Sequence, residues 1–250
     1  MVKSEVFSGL KKLNLFAAFF HLVQGIMILV LANDFSITVT RGFLKFDQVT
    51  RSLVPAFENI FDVKLAYLIA SFPFVTFIFH LLVSTVFNSR YNEDLSKGIN
   101  PFRWAEYSVS SSIMMVIIAM LVGISDFGTL LLIFSINATM ILFGYLMELI
   151  NQFTQKTIWS PFYFGTFAGI VPWIVVFLVI LRSNPPDFVV WIFISIAIFF
   201  NMFAINMVLQ YKKVGKWKDY LYGEKVYIIL SLVSKTLLVW QVFAGTLQPK

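Results

Sequence analysis

Seven apolar runs, at approximately 13–32, 63–87, 101–125, 127–150, 161–181, 188–210 and 226–245, alternate with short polar connections along the chain. A helix needs about 20 apolar residues to cross about 30 Å of hydrocarbon, so each run predicts one transmembrane helix. Only Ser125-Asp126-Phe127-Gly128 separates the third run from the fourth, which makes them a tightly turned antiparallel pair. Pro101 suits the first turn of the third helix, and Ser160-Pro161 opens the fifth with a cap residue followed by a proline at the first helical position. Asn184-Pro185-Pro186-Asp187 breaks the chain between the fifth and sixth. No internal repeat is visible. The long connection between the first two runs holds two β-prone stretches, Phe35-Ser36-Ile37-Thr38-Val39-Thr40 and Phe43-Leu44-Lys45-Phe46, on either side of Arg41-Gly42. That pattern predicts a small β-hairpin lying over one mouth of the bundle.

Composition agrees with the pattern. The chain is 59% hydrophobic and 13% charged, against about 25% charged residues in soluble domains, which places it in lipid. Seven helices use most of the 250 residues, so residues 1–250 are expected to form a single all-α, seven-helix transmembrane domain with no separate soluble one. Zero cysteines exclude disulfides, thiolate metal sites and iron–sulfur clusters, and two histidines argue against a dedicated metal site. Lys3, Lys11 and Lys12 precede an apolar stretch of full span length without a small-residue cleavage site, so no cleavable signal is expected.

The net charge of +6 does not point to nucleic acid, because the basic residues lie in short loops between spans. They are unequally divided. Twelve fall on the side of the N-terminus (Lys3, Lys11, Lys12, Arg90, Lys97, Arg103, Lys156, Lys212, Lys213, Lys216, Lys218 and Lys225) and six on the other (Arg41, Lys45, Arg51, Lys64, Arg182 and Lys250). The positive-inside rule then puts the N-terminus in the cytoplasm and the C-terminus outside, in a multi-pass cell-membrane protein.

The remaining lysine, Lys235, sits centrally in the uncharged run Val226 to Ala244. An ammonium at a bilayer midplane costs about 2.5–3.5 kcal/mol on insertion scales, so such a residue signals function unless it is paired or solvated. Desolvation also favours the neutral amine, which is nucleophilic toward a carbonyl compound. Glu106, His21 and His80 fall at a similar depth, about five to eight residues from the inner ends of their helices at about 1.5 Å per residue. Thr76 shares a helix face with His80, and Ser231 with Lys235, each pair being four residues apart. A buried cation needs an anion beside it, and Glu106 is the best placed. Glu148 lies too near the inner end of its helix, and Asp126 and Asp187 are in outer loops. The bland reading of Glu106 is an interfacial carboxylate paired with Arg103 one turn away; that of the histidines is a hydrogen-bonded interior pair.

Further pocket-like side chains lie on the middle helices: Ser111 and Met114, then Asn137, Met140, Ile141 and Gly144, then Trp173, and finally Phe203 and Gln210. Methionines and aromatics at helical spacing are commonly plain packing, and gain interest here only from the lysine. Gly165 and Gly169 form a GxxxG, which usually marks close helix packing.

Seven spans with one lysine central in the seventh is the arrangement that holds retinal as a Schiff base. Light-driven pumps of that kind carry on the third helix a carboxylate, a hydroxyl four residues on and a second carboxylate eleven residues on; here the positions read Glu106, Ser110 and Ile117. Such pumps also place an aspartate four residues before the lysine, where this chain has Ser231. The donor is missing and one anion faces one cation.

Two segments carry a resemblance to the heliorhodopsin family: Arg103-Trp104-Ala105-Glu106-Tyr107-Ser108 with Ser110-Ser111-Ser112 following, and Ser231-Leu232-Val233-Ser234-Lys235 with Leu237-Leu238-Val239-Trp240-Gln241-Val242-Phe243-Ala244-Gly245. The inverted orientation relative to ordinary rhodopsins, the long first loop, His21, His80 and Asn137 fit the same family. The resemblance implies all-trans retinal on Lys235, Glu106 as counterion, Ser231 and Ser111 near the chromophore, and a histidine region, His21 and His80 with Thr76, that handles the Schiff-base proton. It further implies a light-sensing homodimer without established pumping, and no enzymatic activity is expected. Charge and location alone suggest that the basic cytoplasmic loop with Lys212, Lys213, Lys216 and Lys218 offers a signalling partner a place to dock; the blander reading of those lysines is a topology signal. Competing classes are a light-gated or light-driven ion transporter and a seven-helix transporter or receptor without a chromophore, in which Lys235 and Glu106 form a structural or substrate-binding pair.

Overall fold

The computed structural model describes residues 3–248. Among them, seven helices are long and apolar enough to cross a membrane: Ser4–Leu31, Leu65–Ser84, Pro101–Leu121, Phe127–Asn151, Ser160–Ser183, Asp187–Tyr211 and Tyr220–Leu247. In chain order the α-helices are α1 (Lys3–Leu31), α2 (Leu65–Ser84), α3 (Asn88–Ser96), α4 (Pro101–Leu121), α5 (Phe127–Asn151), α6 (Ser160–Ser183), α7 (Asp187–Tyr211) and α8 (Tyr220–Val242). A two-stranded antiparallel hairpin, β1 (Ser36–Asp47) and β2 (Ser52–Lys64), joins α1 to α2.

All seven predicted spans are present, with shifted ends. The first and last helices begin about ten and six residues before their apolar runs, because Lys11, Lys12, Glu224 and Lys225 interrupt the hydropathy without interrupting the helix. A helix of 29 residues, α1, spans about 43 Å and outruns the hydrocarbon thickness. The second helix starts at Leu65 and ends at Ser84, shorter at both ends than its run, since the strand β2 takes the residues before it. The short α3, on the side of the N-terminus, has no counterpart in the hydropathy because it is polar; it docks through Tyr91, Asp94 and Leu95, with Leu10 and Leu221 in the same apolar cluster.

Capping fixes the ends that matter for the site. The Asn100 side chain accepts from the Arg103 backbone N–H (3.0 Å) and starts α4, with Pro101 in the first turn. Asp126 does the same for α5 through Thr129, and Asp219 for α8 through Leu221. Ser160, expected to cap α6, is instead its first helical residue; Trp159 holds the cap position and makes no side-chain cap bond. Asn184 closes that helix in the left-handed conformation (φ 47°).

The hairpin is longer than its sequence suggested, and its turn lies elsewhere. Arg41 and Gly42 stand within β1, opposite Glu58 and Phe57, and the chain reverses after Asp47. The Asp47 side chain accepts from Val49 N (2.9 Å) and Thr50 Oγ1 (3.0 Å), and Arg51 is left-handed (φ 49°). Gly42 marks close approach, since a Cβ there would stand 3.2 Å from the Phe57 ring. A bulge between Val39 and Thr40 turns the ribbon, and Thr40 N donates to Ser125 O (2.9 Å) in the α4–α5 turn. The main apolar core lies in the half of the bundle beneath this hairpin, around Ile69, Phe72, Met115, Ile118, Ile192 and Leu238.

Candidate functional site: a buried lysine and two polar clusters

Lys235 faces inward from the middle of α8, with its side chain 4% exposed. Its Nζ lies 2.6 Å from Glu106 Oε1 on α4 and 2.8 Å from Thr76 Oγ1 on α2. Thr76 closes the triangle, since its hydroxyl lies 2.6 Å from the same Glu106 oxygen. Pro73 sits within α2, one turn before Thr76. An isolated ammonium at this depth would be expelled or neutralised; a carboxylate and a hydroxyl from two facing helices make it tenable.

The two histidines lie on α1 and α2 with their rings stacked, 6.1 Å between centroids and 10° between planes. His80 Nδ1 is 2.6 Å from Asn14 Oδ1, and the Asn14 amide nitrogen is occupied by Leu10 O (3.0 Å) and Tyr91 Oη (3.3 Å). The amide is thereby oriented with its oxygen toward the ring, so Nδ1 carries the hydrogen and Nε2 keeps its lone pair. Among the described residues Nε2 has no partner, and neither ring nitrogen of the fully buried His21 has one.

On the other side of Lys235 is a cavity of about 490 Å³. Ser111, Met114, Met140, Ile141, Gly144, Trp173, Phe203, Ser231 and Lys235 line it, together with Trp104 and Tyr107. Trp173 is held edge-on by Phe193 and Phe200, and Tyr107 by Phe203. Gly144 and Gly169 shape the wall by close approach: a Cβ at the first would strike the Trp104 ring, and at the second the Met140 sulfur. Asn137 stands behind this wall, donating to Ser111 Oγ (2.9 Å) and Ser112 Oγ (3.1 Å). Gln210 is placed elsewhere, against Gly223, donating to Tyr220 O (3.2 Å). The Oγ atoms of Ser110 and Ser231 are buried without a partner among the described residues.

A second polar cluster lies one turn nearer the N-terminal side. Arg103 is flanked by Glu148 of α5 and Glu224 of α8, in contact with both carboxylates. Its guanidinium carbon stacks 4.0 Å from the Tyr227 ring and 4.5 Å from that of Trp104. Arg103 therefore does not engage Glu106, which is left to Lys235. Sequence reasoning missed this cluster because Arg103 and Glu148 read as helix-end charges and Glu224 lay before the last apolar run. The available signal was two glutamates and an arginine at matching helix depth.

The chain matches the heliorhodopsin family model over residues 10–247. No curated protein matches it. Its fold is similar to the crystal structure of the transmembrane domain and linker region of the Salpingoeca rosetta rhodopsin phosphodiesterase (TM-score 0.60, 13% identity, 97% of this chain and 70% of that one). It is similarly close to the structure of that protein's transmembrane domain alone (TM-score 0.59, 12% identity, 98% and 85%). At such identities the likeness is one of fold: a seven-helix membrane bundle. The family match adds what fold alone does not, and because it runs from the first turns of α1 to the end of the last span, the chain belongs to the heliorhodopsin family.

Proposed function

We propose that this protein is a light-sensing retinal protein, with all-trans retinal attached through Lys235 and Glu106 as its counterion. Family membership supports a retinal photoreceptor. The observation that carries the residue assignment is the single buried lysine among the described residues, at the wall of a largely apolar cavity and 2.6 Å from one carboxylate. The site suits a polyene: its volume of about 490 Å³ is in the range of ligand pockets, its walls are aromatic and apolar, and the unpartnered Ser110 and Ser231 hydroxyls lie in the lining with Lys235. Bound as an imine, retinal supplies light absorption and a photoisomerisation that changes the surroundings of the nitrogen.

The chain's own residues account for the rest. Glu106 balances the positive nitrogen at Lys235, and Thr76 holds the carboxylate in place. Trp104, Tyr107, Trp173 and Phe203 exclude water and constrain the ligand's path. His80 Nε2 has no partner among the described residues, and His80 borders the same small cavity as Glu106, so a proton leaving the lysine nitrogen has an acceptor on that side from which to return. The output in this reading is a conformational signal and neither catalysis nor net ion transport. An N-terminus in the cytoplasm and a partner docking on the loop with Lys212, Lys213, Lys216 and Lys218 belong to the same reading, supported by charge distribution, and a homodimer in the lipid membrane by family resemblance.

The test is colour. Purified protein given all-trans retinal should gain a visible, hydroxylamine-sensitive band, and Lys235→Ala should not. A variant that keeps the band moves the attachment elsewhere; a colourless parent overturns the reading.

A further inference from the structure

We propose that Arg103, Glu148 and Glu224 form a second proton-binding site, in which Glu224 carries the proton in the resting protein. This goes beyond the retinal reading and does not depend on it. The three side chains are 4%, 3% and 1% exposed, and one guanidinium faces two carboxylates. Fully ionised, the cluster would hold an excess negative charge away from water, at a cost of several kcal/mol. Two carboxylates competing for one cation resolve this when one of them keeps a proton.

The hydrogen bonds decide which one. Glu148 is surrounded by donors: Arg103 Nη2 and Tyr220 Oη (3.0 Å) on one oxygen, Asn100 N (2.9 Å) and Trp104 Nε1 (2.6 Å) on the other. A proton on Glu148 would displace one of these bonds, since of the four partners only the Tyr220 hydroxyl can also accept. The start of α4 also points at this residue through Asn100 N, adding its partial positive charge. Among the described residues Glu224 has fewer partners: it contacts the shared guanidinium and accepts from Asn100 Nδ2 (2.8 Å). It borders a cavity of about 30 Å³, room for about one water, to which a carboxylic O–H on Glu224 has space to donate a hydrogen bond. His80 and Glu106 border the same cavity, which links the site to the surroundings of Lys235.

Among the described residues the neighbouring elements place no second lysine or arginine on this cavity, and His80 is its one other basic group. The polar groups lining this cavity are Asn14 from α1, His80 from α2, Tyr91 from α3, the cap residue Asn100, Arg103, Glu106 and Tyr107 from α4 and Glu224 from α8, while α8 adds Tyr220 and Tyr227 around the cluster. Among the described residues no lysine or arginine other than Arg103 pairs with either glutamate.

Infrared spectroscopy of the protein in the dark, with carboxyl-¹³C glutamate, tests this. At neutral pH the parent should show one protonated carboxylic C=O band that moves with the label. Glu224→Gln should abolish it. Glu148→Gln should abolish it too, because a single remaining carboxylate opposite Arg103 ionises. Glu106→Gln should leave it in place. Gel filtration and thermal unfolding check that each variant folds; where a glutamine variant fails, Glu224→Asp replaces it and should move the band out of the labelled set. The proposal is overturned if the parent lacks the band, if the band survives in Glu224→Gln, or if it keeps the glutamate label in Glu224→Asp. It is overturned equally if sodium or potassium raises the parent's Tm but not that of Glu224→Gln while the band is missing, which would place a metal cation where the proton is assigned.

Discussion

Arg103 and Glu106 stand one turn apart on α4 and take different partners: Arg103 binds Glu148 and Glu224, while Glu106 binds Lys235. The separation keeps two buried charge clusters distinct along one helix. Had Arg103 turned toward Glu106, Lys235 would have no anion, and Glu148 and Glu224 no cation. The pairing also gives each charge cluster its own consequences on substitution.

For Glu106→Gln the expected outcome is a change of colour. Removing the only carboxylate that pairs with Lys235 among the described residues leaves a buried positive nitrogen unpaired, and breaking such a pair from one side costs about 3–5 kcal/mol. Two escapes exist: the imine gives up its proton and absorbs in the near ultraviolet, or an external anion takes the vacated position. A chloride titration of the visible spectrum separates them. An unchanged spectrum with an unchanged pH titration removes Glu106 from the role of counterion.

Gly144→Ala should disturb the cavity without touching its charges. The added methyl has to displace the Trp104 ring, whose Nε1 donates to Glu148 at 2.6 Å. Overpacking of this kind costs about 1–3 kcal/mol. The expected result is a lower Tm and slower or incomplete pigment formation. Gly169→Ala should be milder, because the flexible Met140 side chain can swing aside. Equal effects at the two positions would show that the Trp104 wall is not the rigid one.

Much of this was legible in sequence, and the losses have physical causes. Lys235, Glu106 and Thr76 are legible because charge and hydroxyl groups inside apolar runs stand out, and helical periodicity gives their depth. The hairpin strands are legible from β-branched and aromatic residues, but the turn is not: Arg41-Gly42 has turn chemistry, and only the Phe57 ring explains a glycine in mid-strand. Asn137 and Gln210 are indistinguishable in a helical pattern, yet one braces Ser111 behind the cavity and the other fills a gap beside Gly223. The charge cluster around Arg103 needs three helices brought together, which no single stretch of chain encodes.

Asp126 ties the hairpin to the bundle and should make that junction sensitive to acid. Its carboxylate caps α5 through Thr129 N (2.8 Å) and Thr129 Oγ1 (2.9 Å), and it also accepts from Gly42 N of β1 (3.4 Å). The Thr129 bonds, backbone first, hold the carboxyl below its ordinary value of 3.8. A depressed folded-state value means the stabilisation is complete above 3.8 and fades as pH falls through the lowered value. Asp126→Ala should therefore lose about 1 kcal/mol at neutral pH. The Tm gap between variant and parent should narrow in strong acid; a gap independent of pH would show that the cap does not act through its charge.

Illuminated protein should move no net charge across a membrane. Directional transport needs proton-accepting and proton-donating groups on opposite sides of the switching nitrogen, with access alternating between them. Here Glu106, His21 and His80 gather on one side of Lys235, and the charge cluster of Arg103, Glu148 and Glu224 lies further along the same side. On the other side, Ile117 occupies the position where a pump would carry its second carboxylate, inside a fully apolar core with Ile118 and Leu238. A proton leaving the nitrogen should therefore return by the path it took. Cells or liposomes containing the protein should show no sustained photocurrent at any holding voltage and no protonophore-sensitive change in external pH. A steady, voltage-dependent current would mean that the apolar half opens to water during the light cycle.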